Sequence, residues 1–175
     1  MHILVLIIGA ILGAAYWFHR AKAAKEAAGD LIGAANDVRL AARRLGFQRK
    51  TNKHPFDQIT DPRIAAAGIA AALASMDSPL TEAEISTMTL ETQVILKADS
   101  SEADDIAAFG RWLAGQGGTP DEAVRKLSKV TLSLAGREAG PDLVQYCNNI
   151  ATVSSPLDER QAEALKKIET TFGIA

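Results

Sequence analysis

Signals that begin helices recur at short intervals along this chain, and they constrain its fold more than any other feature. Asp61-Pro62 and Thr119-Pro120 each place an N-cap residue before a proline at the first helical position. Thr81 and Glu84 have the spacing of a capping box, in which each side chain accepts a hydrogen bond from the other residue's backbone N–H. Runs that alternate apolar and polar residues with period two are missing. The pattern predicts an all-α protein.

The C-terminal part is predicted to hold six helices, which short loops join into a compact bundle. Ser101 and Asp104 open the third helix, and Gly173 is expected to stop the last. The predicted helices run from Asp61-Pro62 to Met76, from Thr81 to about Ala98, from Ser101 to about Gly115, from Thr119-Pro120 to about Glu138, from after a break at Gly140-Pro141 to Val153, and from about Asp158 to Phe172.

The segment from His2 to Phe18 contains no Asp, Glu, Lys or Arg. As a helix it would span about 25 Å, and the side chain of Arg20 can reach the edge of a hydrocarbon core about 30 Å thick. Tyr16, Trp17 and Phe18 supply the aromatic rings typical of the lipid–water boundary. A basic cluster follows the run and none precedes it. By the positive-inside rule we predict a single transmembrane helix over residues 1–19 in the bacterial inner membrane, with the C-terminal domain in the cytoplasm.

Two further features of the apolar run bear on its role. Gly13-Ala14-Ala15 resembles a cleavage site, so a cleaved signal peptide is the rival interpretation. The lack of any Lys or Arg before the run favours the anchor. Gly9 and Gly13 form a GxxxG pair, which predicts a helix face that can closely approach a partner helix.

Charge is distributed unevenly behind the predicted anchor. Residues 19–53 hold nine Lys and Arg against three Asp and Glu, a net charge of +6. The other residues hold ten against 18, a net charge of −8. A basic segment therefore precedes an acidic domain, and the two are expected to face different partners.

Residues 20–60 are predicted to form a basic amphipathic stem and a linker. Apolar residues recur at the spacing of one helix face, at Leu31, Ala35, Val38, Ala42 and Leu45. Arg39, Arg43 and Arg44 lie on the opposite face. Two interpretations stay open: the stem lies against anionic lipid headgroups, or it is a solvated stalk. Nucleic-acid binding is disfavoured, because Phe47 is the one ring in the basic run on which a base could stack.

Two segments of the domain look alike, Ala74–Glu84 and Ala151–Gln161. Each ends a helix, passes through Ser-Pro-Leu and caps the next helix, with Thr81 in the first segment and Asp158 in the second. The repeat predicts two related helical halves packed by a pseudo-twofold relation.

These residues resemble the TerB-like family, the helical domain of tellurite-resistance proteins and of the central region of the membrane-anchored co-chaperone DjlA. Asp77, Leu80, Thr81 and Glu84 match the family's turn, and the tail from Ile168 to Ile174 is similar to its closing helix. The resemblance implies a TerB-like domain over residues 61–175. The sequence contains no His-Pro-Asp motif, so the J-domain activity of the co-chaperone is not implied.

The resemblance also implies a divalent-cation site at the first turn, with carboxylates from Asp77, Glu82 and Glu84. The second copy departs from the pattern, because it has Ser154 and Gln161 where the family has acids. The alternative is that the acids of the first turn cap the helix and interact favourably with its dipole, without any metal.

The sequence carries no recognisable catalytic constellation. Its histidines, His2, His19 and His54, cannot be placed beside Cys147 or a particular serine, and no glycine-rich phosphate loop follows a strand. We predict a non-catalytic adaptor or scaffold without a cofactor, apart from the cation above. It would bind the lipid bilayer and other membrane proteins, with a role in envelope or metal stress that the resemblance alone implies. The alternative is an accessory subunit of a large respiratory or photosynthetic membrane complex, held through its transmembrane helix.

Overall fold

The structure, a computed structural model, describes residues 36–47 and 53–174, and within them every regular element is helical. The prediction of an all-α fold is therefore confirmed. The predicted anchor, residues 1–19, lies outside the described residues. The chain divides into two compact units, and the second, which we call the compact unit, begins at Val38. The helices are α1 (36–44), α2 (Pro62–Ala74), α3 (Glu82–Val94), α4 (Ser100–Ala114), α5 (Pro120–Ala135), α6 (Gly140–Ala151) and α7 (Glu159–Phe172), with short 3-10 turns at Pro55–Gln58, Gly115–Gly117 and Arg137–Ala139.

Helix α2 forms the centre of the compact unit. Every residue from Ile64 to Ala74 is buried, and α2 contacts all five helices that follow it. A helix that is apolar on all sides is stable only when it is surrounded. Its alanines let neighbouring backbones approach closely: a Cβ on Gly110 of α4 would lie 2.5 Å from the Cβ of Ala67. The small side chains of α2 and α4 therefore permit this packing.

Four helix starts follow the sequence prediction because side chains fix them locally. Asp61 caps α2 by accepting from the N–H of Arg63 at 2.9 Å. The capping box of Thr81 and Glu84 opens α3, and Thr119 caps α5. Asp158 opens α7 with a capping box of its own. Each cap satisfies backbone donors that a helix start leaves unpaired.

Other boundaries differ from the prediction. Helix α3 ends at Val94 rather than at Ala98, because the backbone turns through a positive φ of 58° at Lys97. Helix α4 begins one residue before Ser101, since Asp99 is its cap. Helix α5 ends at Ala135, where Gly136 has a φ of 78°. Gly140-Pro141, predicted to break the preceding helix, instead forms the first turn of α6, as suits a proline at that position.

The described part of the predicted stem and linker belongs to the core. Ala41 is 1% exposed, and Phe56 and Ile59 are also buried. The ring of Phe47 lies 4.8 Å from that of Phe109 between centroids, and 6.1 Å from that of Trp112. The sequence predicts a domain boundary at residue 60, but the buried side chains extend to Ala41 of α1. These contacts join residues far apart in the chain, which local patterns do not reveal.

Candidate interaction surfaces

Helix α3 lies at the edge of the bundle and turns a narrow stripe inward. It packs mainly against α4 and α6. Its buried positions are Glu84, Met88 and Thr92, four residues apart. Since residues four apart share one helix face, a single row of side chains holds α3 to the core.

Polar contacts fix α3 against α6. The Thr92 hydroxyl donates to the carbonyl oxygen of Met88 at 2.7 Å, and the phenol oxygen of Tyr146 lies 2.8 Å from Thr92 Oγ1. Asn149 Nδ2 donates to Glu91 Oε2 at 3.0 Å. Burial of the Tyr146 phenol raises its pKa, so this group is neutral in the folded protein. The orientation of α3 is therefore set by specific bonds as well as by packing.

Another side of α3 carries a second row of residues, three of the four apolar, which we call the outer face of α3. It consists of Ala83, Thr87, Leu90 and Val94, at spacings of four, three and four residues. Leu90 is 57% exposed and Val94 54%, the two highest values among the large apolar side chains of the described residues. Spacings of four and three are typical of a helix that packs along another helix.

The outer face of α3 is also uncharged. Glu91 is the one charged residue between Glu84 and Lys97, and it bonds to Asn149 of α6. By contrast, α5 and α7 expose many charges, such as Arg125 and Glu163. An apolar row without charges can be covered by another protein surface at little desolvation cost.

The residues of the predicted metal site lie at the N-terminal end of α3, but their carboxylates have other roles or lie apart. Glu84 Oε2 accepts from the N–H of Thr81 at 2.7 Å and from its hydroxyl at 3.0 Å. Glu82 is exposed in the first turn, and Asp77 accepts from Ser78 Oγ. Among the described residues, no group of three His, Cys, Asp or Glu is placed to hold a metal ion. Cation binding by these residues stays a prediction.

The two repeated turns contact each other. Thr81 Oγ1 of the first turn lies 3.1 Å from Ser154 Oγ of the second. Gln161 Nε2 of the second donates to the Leu73 carbonyl at the end of α2, at 3.3 Å, while its Oε1 accepts from the N–H of Asp158. Glu84 and Gln161 are the equivalent buried residues of the two capping boxes. The Gln161 side chain lies against a carbonyl oxygen and needs an N–H to donate to it, whereas the Glu84 carboxylate lies against hydrogen-bond donors. This difference explains why the second turn has an amide where the first has an acid.

Helix α1 presents a basic surface. Val38, Ala42 and Leu45 of the predicted apolar stripe pack on the core, and Arg39, Arg43 and Arg44 are exposed, as the sequence pattern predicts. Arg44 Nη1 lies 3.1 Å from Asp105 Oδ1 of α4. Within the described part of the chain neither Arg39 nor Arg43 makes an ion pair, and Leu40 beside them is 39% exposed.

A small cavity of about 160 Å³ lies where α2, α5 and α6 meet the end of α3. Ala66, Ile95 and Leu143 are among its apolar walls, and Arg63 stands at its edge. Arg63 is fully engaged: it binds both Glu102 oxygens, at 2.7 and 2.8 Å, and Asp61 at 2.6 Å. These hydrogen bonds raise the pKa of the Arg63 guanidinium. The arginine thus ties the starts of α2 and α4 together and is not free to bind an anion.

Cys147, the single cysteine of the sequence, is fully buried on α6. Burial raises the pKa of its thiol well above the ordinary value of about 8.5. The thiolate, which is the nucleophilic form, is therefore not formed near neutral pH.

The remaining predicted site residues lie outside the described residues: Gly9 and Gly13 of the GxxxG pair, and Tyr16, Trp17, Phe18 and Arg20 at the expected membrane boundary. Across residues 36–47 and 53–174, no helix combines the length and apolar character needed to cross a membrane.

Comparison with known proteins identifies no relative. No family model, no curated protein and no solved structure matches this chain.

The outer face of α3 is a candidate surface that the sequence analysis did not single out. The signal was present, because Ala83, Leu90 and Val94 recur at helical spacing between residues without charge. It is obscured because Met88 and Ile95, which face the core, are also apolar and recur at helical spacing in and just after the same helix. Only the packing of α3 shows which row is turned inward.

Proposed function

We propose that this chain is a membrane-anchored, non-catalytic adaptor that binds another protein through the outer face of α3. The observation that carries the proposal is the exposure of Leu90 and Val94 in an uncharged row at spacings of four and three residues. Such a row fits the apolar stripe of an amphipathic helix, which lies along it as in helix-in-groove and coiled-coil recognition. The partner surface is therefore expected to be helical, apolar at its centre and free of charge there.

The rigidity of α3 supports this role. Tyr146 and Asn149 of α6 hold the helix from the inner side, so the outer face is presented in one orientation before any partner binds. A surface fixed in advance loses less conformational entropy on association.

Attachment to the membrane is the second element of the proposal. It is supported by the uncharged segment from His2 to Phe18, the aromatic residues that end it and the basic residues that follow. We place the chain in the bacterial inner membrane with the compact unit in the cytoplasm. A reporter fused after Ala175 is expected to report a cytoplasmic location. A periplasmic signal, or a mature N-terminus that begins after Ala15, would contradict this topology.

Membership of the TerB-like family is likewise a proposal. Its support is the pair of capping-box turns, which occupy equivalent places after α2 and α6 and contact each other through Thr81 and Ser154. These contacts agree with two helical halves related by a pseudo-twofold axis. A role in envelope or metal stress follows from the family analogy alone.

An accessory subunit of a large membrane complex would use the same surface in a different way. Its partner would be permanent and present in fixed stoichiometry, whereas an adaptor exchanges its partner. Purification of the full chain from native membranes in a mild detergent separates the two, by the ratio of the co-purifying protein to this chain.

Substitution on the outer face tests the adaptor function itself. Leu90→Glu with Val94→Glu places two charges in the apolar row and should reduce recovery of the partner by about tenfold or more. Ser133→Glu with Leu134→Glu is the matched control, because it places two charges at exposed positions of α5, where Leu134 is 42% exposed. Equal recovery with both variants would show that the outer face of α3 is not the binding surface.

A further inference from the structure

The orientation of α1 on the compact unit fixes which of its side chains face outward. Ala41 is 1% exposed at the centre of the contact, and Arg44 pairs with Asp105 at 3.1 Å. Phe47, just after the helix, packs against Phe109 and Trp112. With one side held in this way, the outer face of α1, which consists of Arg39, Leu40 and Arg43, cannot turn inward.

The outer face of α1 combines two arginines without ion-pair partners among the described residues and an exposed leucine. Arg39 and Arg43 lie one helical turn apart and make no ion pair within the described residues. Leu40 is exposed beside them. Cations around an exposed apolar side chain are typical of helices that lie at the surface of an anionic bilayer, where the arginines contact phosphates and the leucine enters the headgroup layer.

We infer that the outer face of α1 binds the headgroups of anionic phospholipids. The inference rests on the proposed membrane anchor and adds to it the surface that the compact unit turns toward the bilayer.

Charge complementarity selects this surface. Residues 54–175 hold ten Lys and Arg against 18 Asp and Glu, so an anionic membrane repels most of the unit and attracts α1. RNA, the other polyanion that arginines would suit, needs aromatic rings on which its bases stack. Phe47, the ring nearest this face in sequence, is already packed against Phe109 and Trp112.

A spin label can report the contact. Leu40→Cys labelled with a nitroxide places the probe on the outer face of α1, and the buried Cys147 leaves the new thiol as the reactive one. The full chain is reconstituted into vesicles of phosphatidylcholine alone, or of phosphatidylcholine with phosphatidylglycerol. Collision with oxygen and with a water-soluble nickel chelate then measures the depth of the label. Leu134→Cys, on α5 and of similar exposure, is the control.

The label at residue 40 should enter the headgroup region in the anionic vesicles only, while the label at residue 134 stays in water in both. Arg39→Gln with Arg43→Gln should shift the equilibrium toward the undocked state by about 30-fold, at the usual contribution of each cation near an anionic surface. Arg125→Gln with Lys129→Gln removes the same charge from exposed positions of α5 and should leave the label docked.

Three outcomes would overturn the inference. A label at residue 40 that stays in water while the protein floats with anionic vesicles would refute the lipid contact and leave the anchor intact. An equal depth in both kinds of vesicle would refute recognition by charge. A label that is immobilised by single-stranded RNA but not by anionic vesicles would assign the face to nucleic acid. Failure of the protein to float with any vesicle would instead refute the proposed anchor, on which the inference rests.

Discussion

Tyr146 donates its phenolic hydrogen to Thr92 Oγ1 across the contact between α6 and α3. The distance between the two oxygens is 2.8 Å, and the Thr92 hydroxyl uses its own hydrogen to bond the Met88 carbonyl at 2.7 Å. Because Thr92 has only one hydroxyl hydrogen, the phenol must be the donor of the other bond. Both side chains are fully buried, so neither can replace this partner with bulk water.

Removing either partner of this bond should have unequal effects. Tyr146→Phe leaves Thr92 bonded to Met88 and should lower the free energy of unfolding by about 1 kcal/mol. Thr92→Val keeps the shape but leaves the buried phenol without an acceptor, and should cost about 2 kcal/mol. Urea unfolding followed by circular dichroism measures both. A larger loss with Tyr146→Phe would contradict the assigned direction of the bond.

The two capping boxes should respond unequally to exchange of acid and amide. Gln161→Glu places a carboxylate against the Leu73 carbonyl, and should cost about 2 kcal/mol of unfolding free energy. Glu84→Gln keeps an acceptor for Thr81 and should cost less than about 1 kcal/mol. Thermal unfolding of the two variants gives the comparison, and equal losses would refute this explanation of the departure in the second turn.

Because α2 and α4 approach closely, one methyl group added at their contact should strongly lower the free energy of unfolding. Gly110→Ala would place its Cβ 2.5 Å from that of Ala67, so we expect a loss of about 2–3 kcal/mol in unfolding free energy. Gly115→Ala is the control: that position has a φ of −72° and open space around it, and the substitution should be neutral or stabilising by about 0.5 kcal/mol. Chemical denaturation of both variants tests the packing.

The burial of the Cys147 thiol should lower the free energy of unfolding at alkaline pH. The thiol stays protonated in the folded protein, where burial raises its pKa, and ionises in the unfolded chain above its ordinary value of about 8.5. Above that pH the unfolded state binds fewer protons, so the free energy of unfolding falls as pH rises. One pH unit higher, the contribution of Cys147 should be about 1.4 kcal/mol. Cys147→Ala should remove it, which urea unfolding at two pH values measures; the same pH dependence in both proteins would contradict the assignment.

What the sequence predicts well is what short-range chemistry determines. Thr81 and Asp158 start their helices because each bonds a backbone N–H three residues on. The predicted end of α3, at about Ala98, lies beyond the observed end at Val94, because Lys97 adopts a positive φ. That conformation is rare in residues other than glycine, so composition does not indicate it.

What the sequence predicts poorly depends on contacts between distant segments. Phe47 reads as one ring in a basic run, and only the fold brings Phe109 and Trp112 against it. In the same way, Leu90 and Met88 are equally apolar in the sequence, and the packing of α3 decides which of them is exposed. The predicted metal ligand Glu84 shows the converse, since the capping box predicted from the same residues accounts for its carboxylate.

Photo-crosslinking along α3 in native membranes tests the adaptor surface most directly. A benzophenone amino acid is placed at residue 90 or 94 of the outer face, or at residue 85 or 89, which lie about 100° or more away from both of these on the same helix. Strong adducts with one protein are expected from positions 90 and 94, and little from positions 85 and 89. Equal yields from all four positions, or no adduct from residues 90 and 94, would contradict the claim that α3 binds a partner through its outer face.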